Sequence, residues 1–532
     1  MVTRPILPAG LGPRLVALGA PALVAALVIV NAWSGLMPGV SFWDTGEFQT
    51  VLPIMGTAHP TGYPTYVLLG FIGNILLTPI GEPAFRVTVL SLLAVAIAAG
   101  ATVVLIRRLT GSTIIGMATG IGLATTPVVW LNATRADPHP IHLMFVGLLL
   151  LALVRWEQGR RALARGELDE AHADRRLVLA AVLFGLAEGN HSLTLLLAPP
   201  IALYVLSVEP GVLRRPLFIG ACIGAALLAM VVVFLELPIR GGLIPAPLIY
   251  GRPATWDGFW YVVFAQQFQG SVGDVLSDLP KKLGDLVTFT NGQVGAVALA
   301  IPLAVVVTAW RAPRYLLLTG LALVITVLFN KAYVNADIER YYLGPVLLVW
   351  TWIGILAAEV ARLLALLALR LGSIARDVSL DSAAGKPAAL VTAAIVAIVL
   401  LIPTLDDLAA RRHEADRSSD TGARQWLNEA LPAVAEDAVL VSWWSTSTAL
   451  WYAQKVEGQR PDITIVDDRT MLDENLGRAP DVIKANLGKR PVYVIRLDGR
   501  DTEELTSQFD MTLVASGGSL GVWRVDGRLA AK

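Results

Sequence analysis

Residues 14–48 read RLVALGAPALVAALVIVNAWSGLMPGVSFWDTGEF. No charge falls between Arg14 and Asp44. A run of this length and apolarity matches the hydrocarbon thickness of a bilayer, and it stops in a tight group of aromatics and acids, Phe42-Trp43-Asp44-Thr45-Gly46-Glu47-Phe48. That pairing of an apolar run with a polar, aromatic cluster sets the expectation for the whole chain. The body lies in a membrane, and its chemistry gathers where the spans end.

Composition supports this reading. Of 532 residues, 55% are hydrophobic and 16% charged, against about 25% charged in soluble domains, and mean hydropathy is +0.62. The charges are unevenly placed. Residues 406–532 carry 37 charged side chains in 127 positions, and the other 405 residues carry 47. A polytopic α-helical membrane body, residues 1–405, with a more polar tail, 406–532, is therefore expected. Net charge is zero, so no basic field points to nucleic acid as a partner. The one cysteine, Cys222, excludes intrachain disulfides and cysteine-based metal sites. The first apolar run is followed by functional-looking residues, not a small-residue cleavage site, so no removed signal segment is expected.

Eleven apolar runs read as spans: 14–34, 86–106, 113–131, 141–154, 177–189, 192–206, 216–237, 293–310, 315–329, 343–361 and 388–405. Residues 63–80 are apolar but short and bounded by Pro64 and Pro79, which predicts a helix at the interface or packed on the bundle. Placing the N-terminus in the cytoplasm puts 18 Lys/Arg inside, among them Arg4, Arg107, Arg108, Arg214, Arg215 and Arg376, and 8 outside. The long external segments are then 35–85, 238–290 and the tail.

Every cluster able to carry chemistry falls on that external side. Asp44 and Glu47 stand i, i+3, which puts both on one face of a helical turn, and the surrounding aromatics are expected to raise a carboxylate's pKa toward general-base duty. The plainer alternative is a water-facing loop. His59-Pro60-Thr61-Gly62-Tyr63-Pro64 is a rigid turn presenting His59 and Tyr63, or simply a cap for the following helix. Arg135-Ala136-Asp137-Pro138-His139 adds a third acid in a short loop. Asn190 and His191 break an apolar run, where polar groups usually face a cavity, although helix packing accounts for them equally well. Arg240, Lys331 and Arg340 are external cations that could hold a phosphate or snorkel to lipid headgroups, and Asp337 and Tyr341 accompany Arg340. Residues 250–269, with Trp256, Phe259, Trp260, Tyr261 and Phe264, predict an amphipathic interfacial helix. The sequence has no phosphate-binding loop, dinucleotide motif, zinc motif or internal repeat.

Taken together, Asp-x-x-Glu after the first span, the His-Pro-x-Gly-Tyr-Pro turn and Pro83-Ala84-Phe85-Arg86-Val87 before the next resemble the bacterial protein O-mannosyltransferase-like family of GT-C membrane glycosyltransferases. Matches continue at Trp130 through Asp137, Gly189-Asn190-His191, Leu237 through Arg240, Asp337 through Tyr342, Leu450 through Gln454 and Arg460-Pro461-Asp462. Asp137 stands where relatives usually carry glutamate, and Thr61 where proline is common. The resemblance implies a GT-C-like fold and a sugar, mannose by family, carried from a polyprenyl-phosphate donor to a protein or glycan hydroxyl. Asp44 would be the catalytic carboxylate. On this reading Glu47, Asp137 and His59 orient the substrates, and Arg240, Arg340 or Lys331 meets the phosphate. No cofactor is required. A divalent cation on Asp44, Glu47 and Asp137 is conceivable, but a monophosphate donor beside cations does not need one. A transporter or flippase of lipid-linked sugar would use the same cavity without a base.

The tail predicts a small extracytoplasmic α/β domain. Strands are expected at Ala438–Trp444, Asp462–Asp467, Pro491–Leu497 and Met511–Ala515, with helices at 421–431, 446–457 and 478–487. Its tryptophans read as core or as a face toward the acceptor.

Overall fold

A computed structural model describes residues 11–372, 379–382, 384–497, 502–517 and 520–529. Arg4 and Arg376, counted above as internal cations, lie outside the described residues. All eleven apolar runs fall on helices. Among the described residues, seven helical segments are long and apolar enough to cross a membrane, and an eighth follows if Thr113–Ala124 and Pro127–Ala133, bent by 70°, count as one. Pro83–Thr110 and His139–Ala164 form the buried centre of the bundle, whereas the apolar segments from Pro216 and Gly385 turn most of their surface outward.

Local chemistry explains the element boundaries. Proline stands in the first turn of the helices Pro64–Leu76, Pro83–Thr110, Pro216–Phe234 and Pro313–Ala332, where its missing N–H costs nothing. Gly111, at φ +85°, ends Pro83–Thr110, and the Ser112 side chain then accepts from Ile115 N to cap the next helix. The helix Pro64–Leu76 has 13 residues, about 20 Å long, too short for a hydrocarbon core of about 30 Å. It lies on the bundle with Leu69, Ile72 and Ile75 exposed.

The 70° break before Pro127 would leave backbone groups unsatisfied at membrane depth. Side chains from distant segments satisfy them. Gln293 Oε1 accepts from Val128 N at 2.8 Å and Arg411 donates to Thr125 O at 3.1 Å, while Trp350 Nε1 fixes the Thr126 side chain by donating to its Oγ1 at 2.8 Å.

In the tail, β1 (Val439–Val441), β2 (Thr464–Val466), β3 (Val492–Leu497), β4 (Phe509–Gly517) and β5 (Leu520–Arg528) form one sheet in the order β2-β1-β3-β5-β4. The first three are parallel, and β5 and β4 add antiparallel. All four expected strands are present. The strand β5 and the helix Asp468–Asp473 were not anticipated. Glycines and charges in LGVWRVDGR obscure its strand pattern, and register shifts in its pairing with β4 break the alternation.

The tail sits directly on the helix Trp43–Ile54. Thr50 Oγ1 donates to Thr448 O at 3.2 Å, Ala84 N donates to the Tyr452 hydroxyl at 3.1 Å, and Phe42 packs edge-on to Trp426. Val40 and Ala84 belong to the tail's own apolar core. The cluster that ends the first span is thereby held between the bundle and the tail.

Candidate active site

Arg340 organises the site. It stands on the short turn Ile338–Tyr342 that leads into the helix Leu343–Gly372, and it is 9% exposed. One guanidinium nitrogen donates to Asp44 Oδ2 at 2.5 Å and another to Asp137 Oδ2 at 3.1 Å. The planar fork of arginine suits two carboxylates on different elements. Asp44 comes from the first turn of Trp43–Ile54, and Asp137 from the loop before His139–Ala164. Asp137 Oδ1 accepts from both the backbone N and the Nδ1 of His139, at 2.8 and 2.7 Å. Beside it Arg135 donates to Asp337 at 2.6 Å.

Glu47 shares a helix with Asp44 but serves a different network. Its carboxylate accepts from His59 N at 2.6 Å, from His59 Nδ1 at 3.1 Å and from Trp444 Nε1 at 2.9 Å. The Tyr63 hydroxyl contacts His59 Nε2 at 3.2 Å. Phe48 packs against His59, Tyr63 and Tyr66, so the rigid turn is locked by rings.

Electrostatics follow from these contacts. Burial pushes the Asp44 carboxyl up, but Arg340 and His59 outweigh it and hold Asp44 below the ordinary carboxylate range. The expectation that aromatics would raise this carboxylate is therefore overturned by Arg340. Asp137 is also held low, burial being outweighed by His139 and Arg340. Burial lowers His59, while the Glu47 carboxylate and its hydrogen bond raise it to a net upward shift.

Part of this network borders a cavity of about 860 Å³, while Glu47, Asp137 and His139 are buried behind its lining. Asp44, His59, Tyr63, His191, Asp337, Arg340 and Tyr341 all line it. The segment after the aromatic helix Trp256–Val263 supplies Phe264, Gln267 and Phe268 as an opposite wall. Asn190 lies behind the wall and ties its helix to the Asp137 loop by donating to Pro138 O at 3.1 Å. Two expected cations are elsewhere. Arg240 is committed to the backbone carbonyls of Ile54, Met55 and Ile244, and it staples the external turn. Lys331 lies over the Tyr342 ring and does not line the cavity. Among the described residues, no group of three or more His, Cys, Asp or Glu is arranged to hold a metal ion. The three acids do not form a shared ligand set, because Asp44 and Asp137 share Arg340 while Glu47 is committed to His59 and Trp444.

The tail contributes Trp444, one of the tryptophans read from sequence as core or as a face toward the acceptor, and two residues to which the sequence reading assigned no role, Asp468 and Arg469. Trp444, Asp468 and Arg469 line the cavity, and Arg469 stacks over Tyr250 while donating to Asp473 at 2.9 Å. Burial brings Arg469 down to about 10. Trp444 follows β1, and Asp468 and Arg469 follow the neighbouring parallel β2. The carboxyl edge of parallel strands is the usual place for ligands, so strand direction could have flagged them.

The fold is GT-C-like. ArnT from Cupriavidus metallidurans, bound to undecaprenyl phosphate, superposes with a TM-score of 0.63 at 14% identity, over 95% of this chain and 98% of that one. The oligosaccharyltransferase of Archaeoglobus fulgidus, tethered with an acceptor peptide, matches with a TM-score of 0.50 at 12% identity, over 97% of this chain and 76% of that one. In sequence, residues 44–211 match the family described as the Protein O-mannosyl-transferase TMEM260 N-terminal domain. The chain is 26% identical over 449 residues to the protein O-mannosyl-transferase TMEM260 of Mus musculus, covering 81% of this chain and 60% of the mouse protein. The resemblance drawn from the sequence is thereby borne out, with relatives extending to animals.

Proposed function

We propose that this protein is a membrane glycosyltransferase that moves a sugar, mannose by family, from a polyprenyl-phosphate donor to a hydroxyl of an exported protein or glycan. The reading is supported by one observation above all: Arg340 forks between Asp44 and Asp137 on the border of a cavity large enough for a sugar phosphate. The ArnT relative in fold is bound to undecaprenyl phosphate, and the archaeal one holds an acceptor peptide, which favours this donor and acceptor class.

The reaction is an inverting displacement. The acceptor hydroxyl gives its proton to Asp44, its oxygen bonds to the anomeric carbon, and the bond from that carbon to the phosphate oxygen breaks. The leaving polyprenyl phosphate takes the electron pair. Arg340, 2.5 Å from Asp44 before substrate arrives, is placed to turn toward the phosphate. That exchange would release Asp44 from its counter-ion and raise its basicity as the donor seats. A positioned base of this kind contributes about 10²–10⁴-fold. Glu47 and His59 hold the turn, and the prenyl chain lies along the aromatic wall near Phe264. The site faces the extracytoplasmic side, with the N-terminus in the cytoplasm. Residues 1–405 supply the catalytic body, and 406–532 an external domain that closes the acceptor side with Trp444 and Arg469.

The test uses purified protein in lipid nanodiscs with polyprenyl-phosphate mannose, following release of polyprenyl phosphate. Wild type should release it in an acceptor-dependent manner, and Asp44→Asn should not while melting normally. Movement of the intact donor across proteoliposomes without release would replace this reading with that of a transporter.

A further inference from the structure

Two buried histidines beside the site carry complementary hydrogen-bonding atoms that nothing among the described residues answers. His139 is 2% exposed and His191 5% exposed, and their ring centroids are 4.6 Å apart. The Nε2 atom of each has no hydrogen-bond partner among the described residues. The neighbours assign both tautomers. Leu193 N lies 3.2 Å from His191 Nδ1. A backbone N–H can only donate, so Nδ1 bears the lone pair and the proton sits on Nε2. His139 Nδ1 lies 2.7 Å from Asp137 Oδ1, a carboxylate oxygen that accepts, so Nδ1 bears the proton. In the neutral ring, His139 Nε2 then bears the lone pair. The pair therefore offers one buried acceptor and one buried donor side by side.

Aromatic rings bracket this pair. The Tyr341 ring is 4.8 Å from His139 and 5.5 Å from His191, and the Tyr63 ring is 5.7 Å from His191. His191, Tyr63 and Tyr341 line the same cavity as Asp44 and Arg340. A buried polar atom left unanswered is costly, so a ligand group that answers both atoms is favoured strongly over one that answers neither.

We infer that His139 and His191 form a subsite for one hydroxyl of the transferred sugar, which makes the donor a neutral hydroxylated sugar at that ring position. A hydroxyl donates and accepts through a single oxygen, which matches the pair. An ammonium only donates and would meet the His191 N–H. A carboxylate or phosphate oxygen only accepts and would meet the His139 lone pair. The acceptor's reacting hydroxyl belongs at Asp44, so the hydroxyl held here is the sugar's own. This subsite rests on the glycosyl-transfer reading, and binding and transfer are therefore measured separately.

The experiment measures binding to the full-length protein in nanodiscs by competition against radiolabelled polyprenyl-phosphate mannose. The competitors are derivatives lacking one sugar hydroxyl at a time, and derivatives carrying an ammonium in its place. One position should stand out, with the deoxy and the ammonium donor both weaker by about 100-fold or more. His139→Phe and His191→Phe should each erase that difference, binding the parent and the deoxy donor alike. Because His191 also caps residues 192–197, His139→Phe carries the comparison if His191→Phe does not fold. Equal binding of all derivatives by wild type overturns the subsite and leaves the pair holding water. Persistence of the difference in a folded variant overturns it too. Discrimination in binding without any sugar transfer upholds the subsite and sinks the transferase reading instead.

Discussion

Arg340 presents two nitrogens to two carboxylates contributed by separate elements. Lysine keeps the charge but not the fork, so Arg340→Lys can satisfy only one acid and leaves the other without its cationic partner. Transfer should fall by about 10²-fold or more, with Arg340→Ala at least as impaired, measured as polyprenyl phosphate release. The Glu47–His59 contact makes a second residue-scale prediction. His59 is raised from 6.5 by Glu47 against the opposing effect of burial. A raised histidine stabilises the fold fully below its unfolded pKa, and that contribution fades as pH rises through the folded one. The melting-temperature advantage of wild type over His59→Gln should therefore be largest below about pH 6.5 and shrink at alkaline pH. An advantage independent of pH would mean that the turn is held by packing on Phe48 alone. Both residues were legible as candidates from their polar setting at a span end. Their partners were not, because Arg240, Lys331 and Arg340 are equivalent cations in sequence. Only the fold shows that Arg240 is consumed by carbonyls and Lys331 by a tyrosine ring.

At the scale of elements, small residues decide how closely helices approach. A Cβ on Gly120 would come within 2.8 Å of Ala99 O and 3.2 Å of a Val103 methyl, so Thr113–Ala124 is pressed against Pro83–Thr110 at this point. Gly120→Val should destabilise by about 1–3 kcal/mol, read as a lower melting temperature in detergent. Gly220 has open space around it and makes the control, since Gly220→Val should be nearly neutral. Hydropathy located the helices well because membrane burial demands long apolar runs. It did not show that 113–131 is broken by 70°, since the polar partners that permit the break, Gln293, Trp350 and Arg411, lie far away in sequence. In the tail, alternation found four strands and missed β5, where glycine and charge interrupt the pattern.

At the scale of the molecule, the arginine asymmetry predicts which side each loop occupies. With Cys222, the single native cysteine, replaced by alanine, a cysteine at exposed Ser507 should react with a membrane-impermeant maleimide in intact cells. A cysteine at exposed Glu167 should react only after lysis. The reverse pattern would invert the topology and put the cavity on the cytoplasmic side. The tail is seated on Trp43–Ile54 and lends Trp444 to Glu47, so the body without it should lose transfer even if it still inserts.

Run length and charge placement suffice to mark a membrane body, a polar tail and the clusters worth watching, because lipid penalises unsatisfied backbone and desolvated charge wherever they occur along a chain. The constellation itself had to be assembled in three dimensions. Asp44 and Arg340 are 296 positions apart, Asp137 and Arg340 203, and Glu47 and Trp444 397. No periodicity links such distances. Which cation meets which acid, and which histidines are left unanswered, depends on how helices cross and where the tail lands.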